Sequence, residues 1–292
     1  MQRKLTFLLS ITVLGLLFSC SKSDTTIAPV NIAAKTMLDT SYGVDARQKM
    51  DIYLPANRSA GTTKVIILIH GGGWTSGDKS DFTNGGLIDT LKKRLPDYAI
   101  ININYRLATF PSTNPFPTQE LDVKSAVDFI YGNRSYYQIS DKFVLMGASA
   151  GGHLALLEAY KYHSPVNIKA VVDFYGPTDM ADMYNNPGSY PQLAIAALFN
   201  YTTPSTNLTG YQQSSPIFYA NATSCPTIIL QGALDPLVNP TTQSLALKNK
   251  LTTSLVTNEY DLYPLAAHGP WDAATTTDAF NKVQAFLTAN VH

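Results

Sequence analysis

Ser149, Asp235 and His268 are the residues of this chain whose types and order could carry out nucleophilic chemistry on an acyl carbon. Ser149 lies at the centre of a Gly-x-Ser-x-Gly run between Gly147 and Gly151. A serine hydroxyl is a weak nucleophile until a histidine takes its proton and a carboxylate orients that histidine. Ser, Asp, His is one of the chain orders in which these three residues form a catalytic triad, and it differs from the orders in chymotrypsin and subtilisin. We therefore predict Ser149 as nucleophile, His268 as base and Asp235 as the acid that holds the base.

The surroundings of Ser149 make the Gly-x-Ser-x-Gly run informative, because the run alone should occur by chance in about one chain in ten of this length. An apolar strand candidate at residues 143–146 precedes it, and a helical pattern at 150–162 follows it. This strand–turn–helix context exposes such a serine on a sharp turn. We expect the Ala150 amide, at the positive end of the helix, to be one donor to an oxyanion.

A second donor is expected from the three successive glycines between His70 and Trp74, which follow another apolar run. Glycines let the backbone approach a ligand without a Cβ clash. The amides of Gly72 and Gly73 are the candidates, each contributing about 3 kcal/mol in the transition state. Whether the Trp74 amide joins them is left open. His70 should hold this loop by a side-chain hydrogen bond, and Trp74 and Tyr105 are candidates for the wall of a substrate pocket.

The chain contains five histidines that are candidates for the base. His292 is terminal, His163 follows a helix beside Ser-Pro, and His153 lies four residues beyond Ser149 on the same helix, where we expect it in the core. Only His268 follows the last predicted strand.

Asp179 is the alternative to Asp235 as the acid of the triad, since it also follows a predicted strand. Asp235 is preferred on chain order. Cys225 has no histidine near it in sequence and is interpreted as a buried structural thiol. No Cys/His cluster has zinc-site spacing, so neither a metal nor a cofactor is expected.

The elements that must position these residues alternate between strands and helices, which predicts a three-layer α/β fold with a mostly parallel sheet and right-handed crossovers. The first two strands form a hairpin at the sheet edge, and the others are continuous apolar runs. Residues 176–222 fit no strand and are interpreted as a small insertion over the active site, and the loop 108–117 should also shape the pocket. The eight strand candidates are residues 33–40, 48–54, 65–69, 99–104, 143–146, 170–174, 227–230 and 255–260.

The first residues have the composition of an export signal. Arg3 and Lys4 precede an apolar run of about 14 residues, shorter than the ~20 that span a membrane, and Cys20 ends the segment. This ending resembles a bacterial lipoprotein signal. We expect a signal peptide at 1–19, lipidation of Cys20, a tether at 20–32 and a catalytic domain at 33–292, in an exported, membrane-anchored lipoprotein. The alternative is an ordinary secretory signal that is cleaved elsewhere.

The near-neutral net charge of the chain argues against nucleic acid as a partner. Loss of Arg3 and Lys4 from 21 basic side chains would leave 19 against 21 acidic ones. Because no long basic run exists, binding to nucleic acid is not expected. We expect a monomer whose partners are a small-molecule or polysaccharide ester and the membrane.

Several further motifs resemble one branch of the α/β-hydrolase superfamily, the esterase/lipase branch. It includes hormone-sensitive-lipase-like esterases, kynurenine formamidases and bacterial acetyl xylan or feruloyl esterases. The resemblance covers the chain from about residue 33 onward and implies an eight-stranded α/β-hydrolase fold. Predicted export favours the carbohydrate-esterase side, because metabolic formamidases are expected in the cytosol. The matching segments are HGGGW at 70–74, GDK at 77–79, NYRL at 104–107, SAGGH at 149–153 and GPTD at 176–179.

The resulting hypothesis is a serine carboxylic ester hydrolase that acts through an acyl-enzyme, on acetyl or feruloyl esters of carbohydrates. A lipase or general carboxylesterase for small lipophilic esters is the first alternative. A serine peptidase of the prolyl-oligopeptidase type shares the fold but normally adds a β-propeller. A catalytically inactive binding module on this fold is the alternative from a different class, although it would be expected to have lost a member of the machinery.

Overall fold

The computed structural model of the protein describes residues 32–111, 113–163 and 165–292. The predicted signal peptide and Cys20 lie outside these residues. Within them, one sheet contains strands of six or seven residues each: β1 (Lys35–Ser41), β2 (Lys49–Leu54), β3 (Lys64–Ile69), β4 (Tyr98–Ile103), β5 (Phe143–Ala148), β6 (Ile168–Phe174), β7 (Thr227–Gly232) and β8 (Asn258–Tyr263).

The strand order across the sheet is β1-β2-β4-β3-β5-β6-β7-β8. β2 runs antiparallel to both of its neighbours, and every other neighbouring pair is parallel. The carboxyl ends of β3, β5, β6, β7 and β8 therefore meet at one edge. This arrangement confirms the predicted mostly parallel eight-stranded sheet of an α/β-hydrolase.

Helices cover both faces of the sheet and give the predicted three layers. α3 (Thr118–Gly132), α5 (Ala150–Lys161) and α9 (Ala246–Thr253) pack on one face, and α2 (Leu87–Arg94) and α10 (Ala273–Asn290) pack on the other. The helices are α1 (Ser80–Asn84), α2 (Leu87–Arg94), α3 (Thr118–Gly132), α4 (Arg134–Tyr137), α5 (Ala150–Lys161), α6 (Met180–Asn185), α7 (Gln192–Leu198), α8 (Leu208–Gln213), α9 (Ala246–Thr253) and α10 (Ala273–Asn290), with a 3-10 turn at Pro216–Phe218 and a π-helical segment at Pro240–Leu245.

Burial on both faces explains why the central strands are continuously apolar. In β3, Ile67 and Ile69 pack into the core under α3 and α5, while Ile66 and Leu68 pack into the core under α2 and α10. Full burial of each such side chain contributes about 1.5–3 kcal/mol. Periodicity alone could therefore locate these strands.

The last strand begins three residues later than predicted. Leu255 has a left-handed backbone with a φ of 60° and its side chain is 93% exposed. It ends the turn that follows α9, where its amide donates to the Thr252 carbonyl. β8 is a half-exposed edge strand, so its sequence is polar and alternates weakly. The apolar pair Leu255–Val256 before it therefore gives a false start for the strand in the sequence pattern.

Residues 176–222 connect β6 to β7 through α6, α7, α8 and the 3-10 turn. Pro177, Met183 and Tyr190 of this segment line the cavity at the sheet edge. Within the residues that the structure describes, no helix has the length and apolar character needed to cross a membrane.

Candidate active site

Ser149 lies at the turn between β5 and α5, as its sequence context predicts. Its φ of 54° and ψ of −123° are unusual for a residue other than glycine, and strain of this kind is common at functional sites. A Cβ on Gly151 would lie 1.9 Å from the Ile69 carbonyl oxygen, and one on Gly147 would lie 2.2 Å from the Gly151 backbone. Both glycines are therefore needed for the close approach of β5, α5 and β3.

The structure brings Ser149, His268 and Asp235 into one hydrogen-bonded chain. Ser149 Oγ lies 2.9 Å from His268 Nε2, and His268 Nδ1 lies 2.7 Å from Asp235 Oδ2. The arrangement fits an imidazole that donates from Nδ1 to the carboxylate and accepts the serine proton at Nε2. The three residues come from the loops after β5, β8 and β7, respectively.

Asp235 is held as an anion by several donors. Its Oδ1 accepts hydrogen bonds from the amides of Leu237 and Val238, and its Oδ2 accepts one from Gln231. Burial acts to raise its pKa, but the hydrogen bond and charge of His268, together with these amides, hold the pKa below its usual value. A carboxylate in this state can stabilise a protonated imidazole.

The alternatives considered for the acid and the base lie elsewhere. Asp179 accepts hydrogen bonds from the amides of Ala181 and Asp182, and so caps the start of α6. His153 is fully buried, as expected, and His163 and His292 are exposed.

The loop after β3 faces Ser149 with its glycines. Gly72 and Gly73 have φ values of 101° and 57°, and a Cβ on Gly72 would lie 2.2 Å from the Ser76 carbonyl oxygen. Among the described residues, the amides of Gly72 and Gly73 donate to no other backbone carbonyl. Ala150 is the first residue of α5, so its amide also has no acceptor within the helix. These three amides are available to a substrate oxygen.

His70 supports this loop in the way that the sequence predicts. Its Nδ1 lies 2.8 Å from the Gly71 carbonyl oxygen, and its ring stacks on Tyr105 at 4.3 Å between centroids. Burial lowers the pKa of His70 to about 4, so the ring is neutral.

The expectation that Tyr105 lines the substrate pocket is wrong. Its side chain has no exposed surface, and its hydroxyl donates to the carbonyls of His70 and Gly71 at 3.0 and 3.2 Å. Tyr105 lies behind the loop and supports it, because its phenol is the donor that these two carbonyls require. Trp74 borders the cavity, but its side chain is 1% exposed and packs inward.

A buried contact joins Trp74 to the helix that follows Ser149. Trp74 Nε1 donates to His153 Nδ1 at 3.1 Å, and His153 Nε2 lies 2.7 Å from the Ser214 carbonyl oxygen. Burial lowers the pKa of His153 to about 4, which keeps the ring neutral. His153 thus connects the glycine loop, α5 and the 176–222 segment.

Ser149 and His268 open onto a cavity of about 470 Å³. This volume lies within the range of small-molecule sites. The glycine loop forms one wall, and Met183 and Tyr190 of the 176–222 segment form another.

Sequence reasoning missed Tyr175 and Gln231. Tyr175 has a left-handed backbone with a φ of 44°, and its ring lies 4.7 Å from that of His268. Gln231 donates to the Asp235 carboxylate at 2.9 Å. Both residues lie at the carboxyl ends of strands, which is the signal that could have found them.

Across the described part of the chain, no group of three His, Cys, Asp or Glu residues could hold a metal ion. Cys225 is partly buried, and burial raises the pKa of its thiol to about 12, so it stays protonated.

The fold and this site define an α/β-hydrolase of the esterase type. The BD-FAE family model matches residues 50–251, which is more than half of the chain. The protein therefore belongs to the BD-FAE family.

Two curated relatives come from Mycobacterium tuberculosis. The chain is 30% identical to the probable carboxylic ester hydrolase LipM over 68% of its own length and 48% of LipM. It is 27% identical to the esterase LipQ over 84% of its own length and 59% of LipQ. The chain thus spans about half the length of LipM and less than two thirds of LipQ.

A solved structure with the same fold is a truncated carbohydrate esterase from gut microbiota. Its TM-score to this chain is 0.75 at 24% identity, and the match covers 87% of this chain and 95% of that one.

Proposed function

We propose that this protein is a serine carboxylic ester hydrolase that works through an acyl-enzyme. The observation that carries the proposal is the hydrogen-bonded chain from Ser149 through His268 to Asp235, which faces the free amides of Gly72, Gly73 and Ala150. The esterase relatives LipM and LipQ support it.

In the proposed mechanism, His268 Nε2 takes the Ser149 proton as Oγ attacks the ester carbonyl. The carbonyl oxygen becomes an oxyanion, which the amides of Gly72, Gly73 and Ala150 would stabilise. His268 then gives its proton to the departing alcohol, and the acyl group stays on Ser149. Water repeats the sequence and releases the acid. Asp235 keeps the imidazole in the required tautomer throughout.

Replacement of the nucleophile tests this mechanism. Ser149→Ala should fold normally and lose about 10⁴-fold or more of kcat toward p-nitrophenyl acetate, and it should no longer react with a fluorophosphonate probe. Ser135→Ala, on the exposed face of α4, is the matched control and should behave like the parent protein. Substantial turnover or labelling of Ser149→Ala would contradict a serine mechanism. A parent protein that does not label would instead favour an inactive binding module.

For the substrate, we propose short-chain or aryl esters of carbohydrates. The carbohydrate esterase with this fold motivates the proposal. The first alternative is a lipase or general carboxylesterase.

A substrate panel separates these possibilities. p-Nitrophenyl esters of two to sixteen carbons would be compared with acetylated xylan and methyl ferulate, and aminopeptide substrates would test for a peptidase. We expect a preference for short chains and release of acetate or ferulate. A preference for acyl chains longer than about eight carbons, without release from the glycan substrates, would favour a lipase.

We also propose that the protein is a bacterial lipoprotein anchored through Cys20, on the basis of the sequence of residues 1–20. Two or more acyl chains anchor a protein stably where one is marginal. Cys20→Ser should therefore move the protein from the membrane to the soluble fraction or block its processing. Cys225→Ser is the control and should remain at the membrane. Unchanged processing and anchoring of Cys20→Ser would show that the lipidation site is wrong.

A further inference from the structure

A buried chain of hydrogen bonds continues from Asp235 away from the substrate cavity. Oδ2 of Asp235 lies 2.7 Å from His268 Nδ1 and also accepts from Gln231 Nε2 at 2.9 Å. Ser244 Oγ then donates to Gln231 Oε1 at 2.6 Å. Neither Gln231 nor Ser244 has any exposed surface. The carboxylate oxygen that His268 contacts is therefore supported by two side chains that are shielded from water.

The chemistry of these groups fixes the orientation of the Gln231 amide. Its Nε2 faces the Asp235 carboxylate and, at 3.1 Å, the Gly232 carbonyl, both of which are acceptors. The amide oxygen must then face Ser244, whose hydroxyl is the donor that this oxygen requires. Loss of that donor would leave the buried oxygen unpaired, which favours other orientations of the amide. Ser244 thus holds in place the donor that Asp235 uses.

Ser244 is itself positioned by the π-helical segment Pro240–Leu245. The preceding residue, Gln243, is 1% exposed, and its Oε1 accepts from the amides of Thr178 and Asp179 at 2.7 and 2.8 Å. These bonds fix the segment against the start of the connection between β6 and β7. π-Helical turns are rare and occur frequently at functional sites. Here the turn directs one side chain to that connection and the next one towards the catalytic acid.

We propose that Ser244 and Gln231 are positioning residues, which act through Asp235 and set how strongly its carboxylate attracts the proton of His268. The inference rests on the proposed function for its effect on catalysis. The Gln231 amide places an N–H dipole on the oxygen that His268 contacts, and this dipole reduces the negative potential there. Without it, the carboxylate would favour the protonated imidazole more strongly. A histidine that keeps its proton to higher pH can act as a base over a narrower pH range.

Ser244→Ala tests this role, because it removes the hydroxyl without changing a group that lines the substrate cavity. It should raise the imidazole pKa of His268 by about 0.5 to 1, measured by NMR titration without substrate. The acidic limb of the pH profile of kcat/KM on p-nitrophenyl acetate should move to higher pH by the same amount. Ser244→Thr keeps the hydroxyl and should retain the parent values. Ser140→Ala is the matched control, since Ser140 is also buried, at 2% exposure, but precedes β5 at the opposite edge of the sheet.

A second variant shows whether Ser244 acts through Gln231. Gln231→Met replaces the amide by an apolar group of similar size, and it should raise the pKa of His268 at least as much as Ser244→Ala does. In the double variant, Ser244→Ala should add little to the effect of Gln231→Met, because the donor that it holds in place is already absent.

An unchanged His268 pKa in Ser244→Ala would overturn the proposed role, even if that variant were less stable, because a merely structural serine would change stability alone. An equal rise in Ser140→Ala, or a full second rise in the double variant, would also overturn it. Failure of the proposed function has a different signature. A parent protein that does not hydrolyse p-nitrophenyl acetate would contradict the esterase mechanism, whereas the NMR titration would still measure the effect of Ser244 on His268.

Discussion

At the scale of single residues, the site depends on the surroundings of Asp235. Its carboxylate accepts hydrogen bonds from two backbone amides and from Gln231. The same carboxylate also contacts His268 at 2.7 Å. The amides hold the carboxylate in one orientation, and this orientation selects the Nδ1-protonated tautomer of His268. The other tautomer would direct a proton at Ser149 and could not accept one.

Asp235→Asn should therefore leave the fold intact and lower kcat by about 10³–10⁴-fold, because an amide can stabilise the wrong tautomer. The measurement is kcat on p-nitrophenyl acetate, with circular dichroism to check folding. Asp179→Asn is the matched control. Asp179 only caps α6, and asparagine caps helices equally well, so its kcat should stay within about twofold of the parent. A larger loss in Asp179→Asn than in Asp235→Asn would reverse the two assignments.

At the scale of elements, the two sources of oxyanion donors must keep a fixed distance from each other. One source is the loop after β3, and the other is the first turn of α5. The buried hydrogen bond from Trp74 to His153 joins them, because His153 lies on α5 and Trp74 ends the glycine run. The contact of His153 with the Ser214 carbonyl extends this connection to the 176–222 segment.

Loss of the hydrogen bond between Trp74 and His153 should lower kcat more than it raises KM, because the oxyanion forms only in the transition state. We expect Trp74→Phe, which keeps an aromatic ring, to reduce kcat about tenfold with KM within about twofold. His153→Leu should have a similar effect, and the double variant should lose little more than either single one. Tyr136→Phe is the control, since this aromatic side chain lies 70% exposed on α4, away from this contact. Fully additive losses would mean that the two residues act independently.

At the scale of the whole molecule, a buried carboxyl group makes stability depend on pH. Asp173 lies at the end of β6 with no exposed surface, and its Oδ1 accepts from the Gly176 amide at 2.9 Å. Its Oδ2 has no hydrogen-bond partner among the described residues. Burial raises the pKa of Asp173 from 3.8 to about 8. The folded protein therefore keeps this proton where the unfolded chain has lost it.

The contribution of the Asp173 proton to stability is fully present below about pH 4 and is lost as the pH rises to about 8. Asp173→Asn removes this dependence, because the amide does not titrate. The free energy of unfolding of Asp173→Asn relative to the parent should rise by about 2 kcal/mol between pH 5 and pH 7. Urea unfolding at each pH measures it.

Asp272→Asn is the control, because the pKa of Asp272 is shifted in the opposite direction to that of Asp173. The Thr275 amide and hydroxyl and the Ala274 amide hold the pKa of Asp272 below its usual value, so this variant should gain no stability as the pH rises. A difference between Asp173→Asn and the parent that does not change with pH would show that Asp173 is ionised in the folded protein.

The sequence by itself determined the catalytic candidates and the type of fold. Ser149, Asp235 and His268 could be found because each follows a strand, and strands buried on both faces leave continuous apolar runs such as those of β3 and β5. Parallel strands bring their carboxyl ends to one edge, so the sequence alone predicts that these residues, although far apart in the chain, lie together. The glycines could be interpreted for a similar reason, since a backbone that must approach another backbone excludes a side chain.

Only the tertiary structure decided which side chains face the substrate and which support the loops. Tyr105 is predicted as a pocket residue, but its hydrogen bonds turn it into the interior, whereas Trp74 borders the cavity while its indole donates to buried His153. Tyr175 belongs to none of the sequence motifs. Its position against His268 follows from a strained turn after β6. The start of β8 was likewise invisible in the sequence, because polar and apolar residues alternate only weakly along this half-exposed edge strand. Contacts between segments distant in sequence leave no local pattern, so they appear only when the chain is folded.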